Sequence, residues 1–193
     1  MASFELSLKP HISIFLGDPG AGKSFALKSQ MWHYSQMDGG GHYKFGVCFT
    51  GTKFTGQFGF LPTEYVNEGY DESKLFAHIE NLRRKRAELI KETGDEEANC
   101  PPNFVILDDC GSTVKPSSWY RNWIGTFRHT NTSVFMCVQY LADPRGCGTF
   151  LIKQTNFGYI WPTTNANDVE SSYLAFGGKF GRGKEGIAKF EAA

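Results

Sequence analysis

The sequence predicts an α/β domain built on a mostly parallel sheet of five or more strands, with helices on its flanks. Three observations favour this fold class: five short apolar runs alternate with helical patterns, the first run leads into a glycine-rich loop, and 40% of the residues are hydrophobic. Strands that alternate with helices are typical of parallel sheets. The length of 193 residues fits one domain, and 17 Phe, 8 Tyr and 4 Trp are enough for a real core.

The elements follow from the spacing of apolar residues. The first strand is expected at 11–16, and the helix after it should run from Lys23 to about Met37, where Asp38 and three glycines end it. Further strands are predicted at 43–49, 104–107, 133–140 and 157–161, and further helices begin near 71 and 116. Residues 51–62 are expected to form a surface loop. The domain is predicted at 1–176, and the glycine-rich basic segment 177–193 is predicted to be a mobile tail.

Charge and cysteine content restrict the function. The net charge is zero and the pI is about 6.9, so nucleic acid has to be held by local basic segments. The sequence has no apolar run long enough for a membrane span and no signal-peptide pattern at its start, so we expect a protein that is not secreted. The five cysteines are an odd number without a C-x-x-C pair, which indicates buried free thiols in a reducing compartment.

The loop after the first strand carries the strongest motif. Its sequence matches G-x-x-x-x-G-K-[ST], the phosphate-binding P-loop, between a strand and a helix as the motif requires. Backbone N–H groups and the helix dipole would hold the phosphates of ATP, Lys23 would reach the β and γ oxygens, and Ser24 would bind Mg²⁺. The predicted nucleotide-binding residues are Gly17, Asp18, Pro19, Gly20, Ala21, Gly22, Lys23, Ser24 and Phe25.

A second motif follows the strand at 104–107. Apolar residues run directly into Asp108 and Asp109, which is the form of a Walker B element. Asp108 is expected to hold Mg²⁺, directly or through water, and Asp109 to activate the attacking water. The alternative is an Asx-type turn after a strand. Two adjacent carboxylates at a strand end favour a bound cation.

A third set of residues carries a resemblance to a known family. Arg128-His129-Thr130-Asn131-Thr132-Ser133, a strand that ends at Gln139, and the region 141–161 resemble the corresponding elements of the poxvirus-type genome-packaging ATPases, within the FtsK/HerA group of P-loop motors. The resemblance implies a RecA-like or FtsK/HerA-like sheet in which the Gln139 strand lies between the two Walker strands. It also implies that Gln139 senses the γ-phosphate and that Arg128 enters a neighbouring subunit's site, with Arg121 and Arg145 as alternatives.

The same resemblance implies a function and partners. It predicts an ATP-hydrolysing ring of five or six subunits that moves viral DNA into a capsid, docks on capsid or portal-vertex proteins, and acts in the host cytoplasm or nucleus and with the virion. The chain departs from the family pattern in having Asp109 where glutamate is commoner and in lacking room for a separate DNA-binding domain. Candidate DNA contacts are Lys53, the cluster Arg83, Arg84, Lys85 and Arg86, and the tail residues Lys179, Arg182 and Lys184.

Other functions remain open at this point. A P-loop ATPase of filamentous-phage assembly, of the zonula occludens toxin type, begins with a similar motif but normally carries a membrane segment. A small-molecule kinase should have an arginine-rich lid, whereas the arginines here are dispersed. A GTP-driven switch should contain N-K-x-D, which is missing. A non-hydrolysing nucleotide-binding protein would not need Asp109 and Gln139.

Overall fold

A six-stranded sheet with helices on both faces forms the centre of the protein. The computed structural model describes residues 6–37, 39–51, 58–110, 117–139, 148–163, 166–180 and 183–192. The strands are β1 (Ile12–Leu16), β2 (Phe45–Thr50), β3 (Val66–Glu68), β4 (Asn103–Asp108), β5 (Thr132–Val138) and β6 (Phe157–Ile160). The helices are α1 (Lys23–Ser35), α2 (Glu72–Thr93), α3 (Ser118–Thr126), α4 (Gly148–Gln154), α5 (Ala166–Phe176) and α6 (Gly183–Glu191).

The strand order is β3-β2-β4-β5-β1-β6, and every pair of neighbours is parallel. The predicted α/β class is therefore confirmed. The carboxyl ends of all six strands meet at one edge of the sheet, where parallel α/β folds bind their ligands. The resemblance placed the Gln139 strand between the two Walker strands, and β5 does lie between β1 and β4.

Two apolar layers enclose the sheet. Helix α1 packs on one face through Leu27 and Met31, which belong to one apolar cluster with Phe15 and Phe135 of the strands. On the other face, α2 and α3 bury Leu75, Ile79, Trp123 and other side chains against β1, β4 and β5. Strands buried on both faces read as continuous apolar runs, which is why four of them stand out so clearly in the sequence.

Helix ends agree with the local chemistry. The Asp71 carboxylate accepts hydrogen bonds from the backbone N–H groups of Ser73 and Lys74, so α2 begins where its capping residue predicts. Gly94 ends the same helix with a φ of 70°, a left-handed conformation that glycine adopts without strain. The Ser117 hydroxyl caps α3 in the same way through the N–H of Tyr120.

The structure contains four elements beyond those predicted from the sequence: β3, α4, α5 and α6. A sixth strand, β3, lies at the edge of the sheet, and Phe58, within the predicted surface loop, is 4% exposed. The segment predicted to be a mobile tail contains a short 3-10 helix, Gly177–Phe180, and α6. The ring centroid of Phe190 in α6 lies 6.0 Å from that of Tyr173 in α5. This apolar contact holds α6 against α5 and favours the helix despite the glycines in the segment. None of the helices in the described ranges has the length and apolar character that a bilayer crossing requires.

Candidate nucleotide-binding site

The P-loop lies between the end of β1 and the start of α1. Gly20 and Gly22 have φ values of 78° and 97°, which side chains on L-residues strongly disfavour. Gly17 has a different reason to be glycine, because a Cβ there would lie 2.8 Å from the Cβ of Trp161. The Gly17 N–H donates to the carbonyl of Val138 at 3.3 Å, which ties the loop to the end of β5.

Lys23 places its charge at the centre of this loop. Its side chain is 5% exposed, and Nζ donates to the carbonyl oxygens of Gly17 at 2.8 Å and Asp18 at 2.9 Å. A buried ammonium needs such partners. The loop therefore holds a positive charge beside several backbone N–H groups at a helix N-terminus, which is a suitable environment for phosphate oxygens.

Asp108 ends β4, and its fully buried carboxylate accepts hydrogen bonds from two hydroxyl groups. Ser24 Oγ donates to Oδ1 at 2.7 Å, and Thr50 Oγ1 donates to Oδ2 at 3.0 Å. The structure thus brings together the two predicted magnesium ligands, Ser24 and Asp108. A hydroxyl and one carboxylate are oxygen donors of the kind that Mg²⁺ takes together with substrate phosphates, so the residues fit the predicted ion. Thr50 was not predicted.

Asp109 and Gln139 lie next to this pair. Gln139 Nε2 donates to Asp109 Oδ1 at 3.4 Å, so the last predicted carboxylate and the predicted sensor meet at the carboxyl ends of neighbouring strands. Asp109 has a φ of 51°, in the left-handed region that aspartate tolerates better than most residues. This turn separates its carboxylate from the buried Asp108 and leaves it exposed.

Three thiols surround the buried end of β4. Burial raises the pKa of Cys137 well above its ordinary value, and the Asp108 charge raises it further. Burial likewise raises the pKa of Cys110 to about 12 and that of Cys48 in the same direction. Cys48, Cys100 and Cys137 are buried and free, as the cysteine pattern predicts. Cys110 is buried as well, and Cys147 lies outside the described residues.

Arg128 is far from its own P-loop. It lies in the 3-10 helix Phe127–Thr130, before β5 begins, whereas the P-loop is at the carboxyl end of the sheet. The seven residues of β5 span about 23 Å at the usual rise per residue. The Arg128 side chain is exposed, and its guanidinium carbon lies 5.0 Å from the Phe127 ring centroid. Arg121 is exposed on α3, and Arg145 lies outside the described residues.

Several of the predicted DNA-contacting residues form contacts within the chain. Arg83 pairs with Glu80 at 2.6 Å and Arg84 with Glu88 at 3.9 Å, while Arg86 donates to backbone carbonyls of Glu96 and Ala98. Much of this cluster is therefore engaged within the chain. Lys184 is exposed on α6. Lys53 and Arg182 lie outside the described residues, and so does the side chain of Lys179.

Two residues beyond the predicted set also contact the P-loop. The Trp161 indole lies against Gly17 and Gly22, with its Nε1 3.9 Å from a Cβ position on Gly22. Thr163 Oγ1 donates to Asp18 Oδ1 at 3.5 Å. These contacts form because β6 lies beside β1, so the residues that follow β6 lie next to the loop that follows β1. In the sequence, the contact is indicated only by the aromatic residue directly after β6.

Comparison with solved structures shows that the fold is shared with P-loop NTPases. The genome packaging NTPase B204 from Sulfolobus turreted icosahedral virus 2, solved with AMPPCP, is similar with a TM-score of 0.61 and 13% identity over 96% of this chain and 88% of that chain. The conjugation coupling protein TcpA of pCW3, solved with ATPγS, is similar with a TM-score of 0.58 and 16% identity over 88% of this chain. The chain spans about half of the TcpA chain, 52% of its length.

Comparison of sequences identifies a protein family, which is more specific than a shared fold. No curated protein sequence matches the chain. The family model described as Poxvirus A32 protein matches residues 3–148, a range that contains the P-loop, Asp108, Asp109, Arg128 and Gln139. The match covers most of the sheet and agrees with the resemblance found in the motifs. The chain therefore belongs to the Poxvirus A32 protein family.

Proposed function

We propose that this protein is a Mg²⁺-dependent ATPase that packages viral DNA into a capsid. The observation that carries the proposal is the meeting of four features at one edge of the sheet: the P-loop lysine, the Ser24 hydroxyl on Asp108, the Asp109 carboxylate, and Gln139. Phosphoryl transfer needs positioning and charge stabilisation, and these groups supply both.

Each residue has a role that follows from its place. Lys23 would exchange its loop carbonyls for the β- and γ-phosphate oxygens. Backbone N–H groups of the P-loop at the start of α1, including those of Lys23 and Ser24, would hold the remaining charge. Ser24 and Asp108 would hold Mg²⁺, which when bound neutralises charge on the phosphates. Asp109 is the proposed base for the attacking water, and Gln139 orients that carboxylate and contacts the γ-phosphate.

The comparisons support the viral part of the proposal. The family to which the chain belongs is named for a poxvirus protein, and B204 is described as a genome packaging NTPase. The proposed partners are viral DNA and capsid or portal-vertex proteins, and the proposed location is the host cytoplasm or nucleus and the virion. The exposed Lys184 and its neighbours Lys179 and Arg182 remain the proposed DNA contacts of the segment 177–193.

A ring of subunits would explain the position of Arg128. The arginine is exposed and about the length of β5 away from its own P-loop. It therefore cannot serve that site without a large rearrangement, whereas a neighbouring subunit in a closed ring of five or six would receive it. We propose Arg128 as a catalytic residue in trans.

The test is ATP turnover with and without DNA, in wild-type protein and in Lys23→Ala and Asp109→Asn variants. We expect Mg²⁺-dependent hydrolysis that DNA stimulates. Lys23→Ala should abolish turnover, and Asp109→Asn should bind ATP but hydrolyse it about 10²–10⁴-fold more slowly, because an amide cannot accept the proton. Transfer of the phosphoryl group to a small molecule, with no effect of DNA, would support the kinase alternative instead.

A further inference from the structure

A cavity of about 620 Å³ lies between β6 and the C-terminal helices α5 and α6. Its lining includes Trp161 and Thr163 after β6, Val169 and Ser172 of α5, and Glu191 of α6. Pockets for small molecules usually measure roughly 300–1,000 Å³ and combine apolar walls with a few polar groups. The cavity has this size and this mixture.

The cavity adjoins the P-loop. A narrow cleft beside it is lined by Gly17, Asp18 and Gln139, and it shares Ile160, Trp161, Thr163 and Ser172 with the larger cavity. Trp161 therefore touches the phosphate-binding loop and also forms part of the cavity wall. A ligand whose phosphates occupy the loop would have its remaining atoms within reach of this cavity.

The strand order gives the ligand a direction. Asp108 ends β4 and Gln139 follows β5. Both strands lie on one side of β1, and β6 lies on the other. The phosphate to be cleaved has to face Asp108 and Gln139. The opposite end of a nucleoside triphosphate then extends toward β6, which is the side of the cavity.

We propose that this cavity binds the purine base and ribose of ATP, with the base packed against the Trp161 indole. The inference rests on the proposed function of the P-loop and adds the residues that hold the nucleoside. The Ser172 side chain is 2% exposed and belongs to both cavities. Its hydroxyl, the Thr163 hydroxyl and the Glu191 carboxylate supply hydrogen-bonding groups for the polar edge of a purine and for the ribose.

The experiment compares the affinities of Mg²⁺-ATP and Mg²⁺-tripolyphosphate, which lacks base and ribose. Wild-type protein should bind ATP at least tenfold more tightly. Trp161→Ala should weaken ATP binding about tenfold more than it weakens tripolyphosphate binding, because only ATP loses a stacking partner. Trp161→Phe should retain most of the ATP affinity. Equal weakening of both ligands in Trp161→Ala would mean that the indole only supports the P-loop, and would overturn the inference.

A second pair of variants tests the cavity without disturbing the P-loop contact. Val169→Phe fills the cavity from α5 and should weaken ATP but not tripolyphosphate. Leu174→Phe adds a similar ring on the same helix, at a position that is 75% exposed and outside the cavity, and should change neither affinity. An unchanged ATP affinity in Val169→Phe would also overturn the inference. If wild-type protein bound tripolyphosphate as tightly as ATP, the cavity would have no role in binding, but the proposed function of the P-loop would still hold. If the protein bound neither ligand, the inference about the cavity and the proposed function would both be wrong.

Discussion

Asp108 keeps its carboxylate in place with two hydroxyl groups, one from each side. Ser24 belongs to the P-loop helix, and Thr50 ends the neighbouring strand β2, directly opposite Asp108 in the strand register. A fully buried carboxylate needs partners for both oxygens, because an unsatisfied buried charge is costly. Thr50 is therefore a positioning residue for the proposed magnesium site, acting through Asp108.

We predict that Thr50→Val raises the Mg²⁺ concentration needed for half-maximal ATP turnover. The change keeps the shape of the side chain and removes the donor to Asp108 Oδ2. Hydrogen bonds to charged groups contribute about 1.5–3 kcal/mol, so the expected loss of Mg²⁺ affinity is about 10- to 100-fold. Titration of turnover with Mg²⁺ is the measurement.

The matched control is Thr50→Ser, which restores a hydroxyl and should restore most of the Mg²⁺ response. If Thr50→Val and Thr50→Ser showed the same Mg²⁺ dependence as wild type, the hydroxyl would have no part in positioning Asp108. Thermal unfolding of both variants separates an effect on the site from a general loss of stability.

At the residue scale, the sequence predicts the groups that belong to linear motifs. Lys23, Ser24, Asp108 and Asp109 could all be predicted as site residues because each stands at a motif position between a strand and a helix or at a strand end. Thr50 could not, because its function depends on the register between β2 and β4, and register is not written in a single strand. Trp161 was missed for a similar reason: its contact depends on β6 lying beside β1.

At the element scale, α2 carries a titratable group whose environment sets a pH dependence. His78 lies on the side of α2 that packs toward the sheet, and its ring centroid is 6.3 Å from that of Phe45 in β2. Burial lowers the pKa of His78 to about 4. The neutral imidazole is therefore the form that the fold accepts.

We predict that folding stability falls between pH 6.5 and pH 4, and that His78→Gln reduces this fall. A lowered pKa favours the folded state fully above the ordinary value of 6.5, and this contribution is lost as the pH drops toward the folded pKa. At pH 4.5 the contribution of His78 to that loss should be about 2 kcal/mol. Urea unfolding of wild type and variant at pH 7 and pH 4.5 gives the difference; equal losses in the two proteins would show that His78 is not responsible.

Element prediction succeeded where burial is continuous and failed where an element is short or depends on tertiary packing. β1, β4 and β5 are buried throughout and read as apolar runs. β3 has three residues, Val66–Glu68, of which only the first is buried, so no pattern marks it. Helix α6 was missed because glycines disfavour helices, whereas its contact with α5 depends on tertiary packing.

At the scale of the whole molecule, the proposed trans role of Arg128 makes a prediction about mixed assemblies. An Arg128→Ala subunit keeps its own P-loop but lacks the arginine for its neighbour, and a Lys23→Ala subunit has the opposite defect. Some interfaces in a mixed ring would then combine an intact P-loop with an intact arginine. We expect mixtures to hydrolyse ATP faster than either variant alone.

The control is a mixture of Lys23→Ala with the double variant Lys23→Ala/Arg128→Ala, which has no intact P-loop and should stay inactive. Native mass spectrometry has to verify that mixed rings form. If verified mixed rings of the two single variants are no more active than the variants themselves, Arg128 does not act in trans.

The position of β1 inside the sheet, between β5 and the edge strand β6, has a consequence for the order in which the protein folds. Among the strands that the structure describes, β1 precedes the others in the sequence, and its partners are the two latest ones, β5 and β6. The Ile12 N–H donates to Asn156 Oδ1 across 144 residues of chain. This apolar strand therefore stays unpaired until β5 and β6 have been translated. Unpaired apolar segments are prone to aggregate during this period. The phosphate-binding loop that follows β1 contacts the later residues Val138 and Trp161, so we expect ATP to stabilise the protein only after these residues are in place.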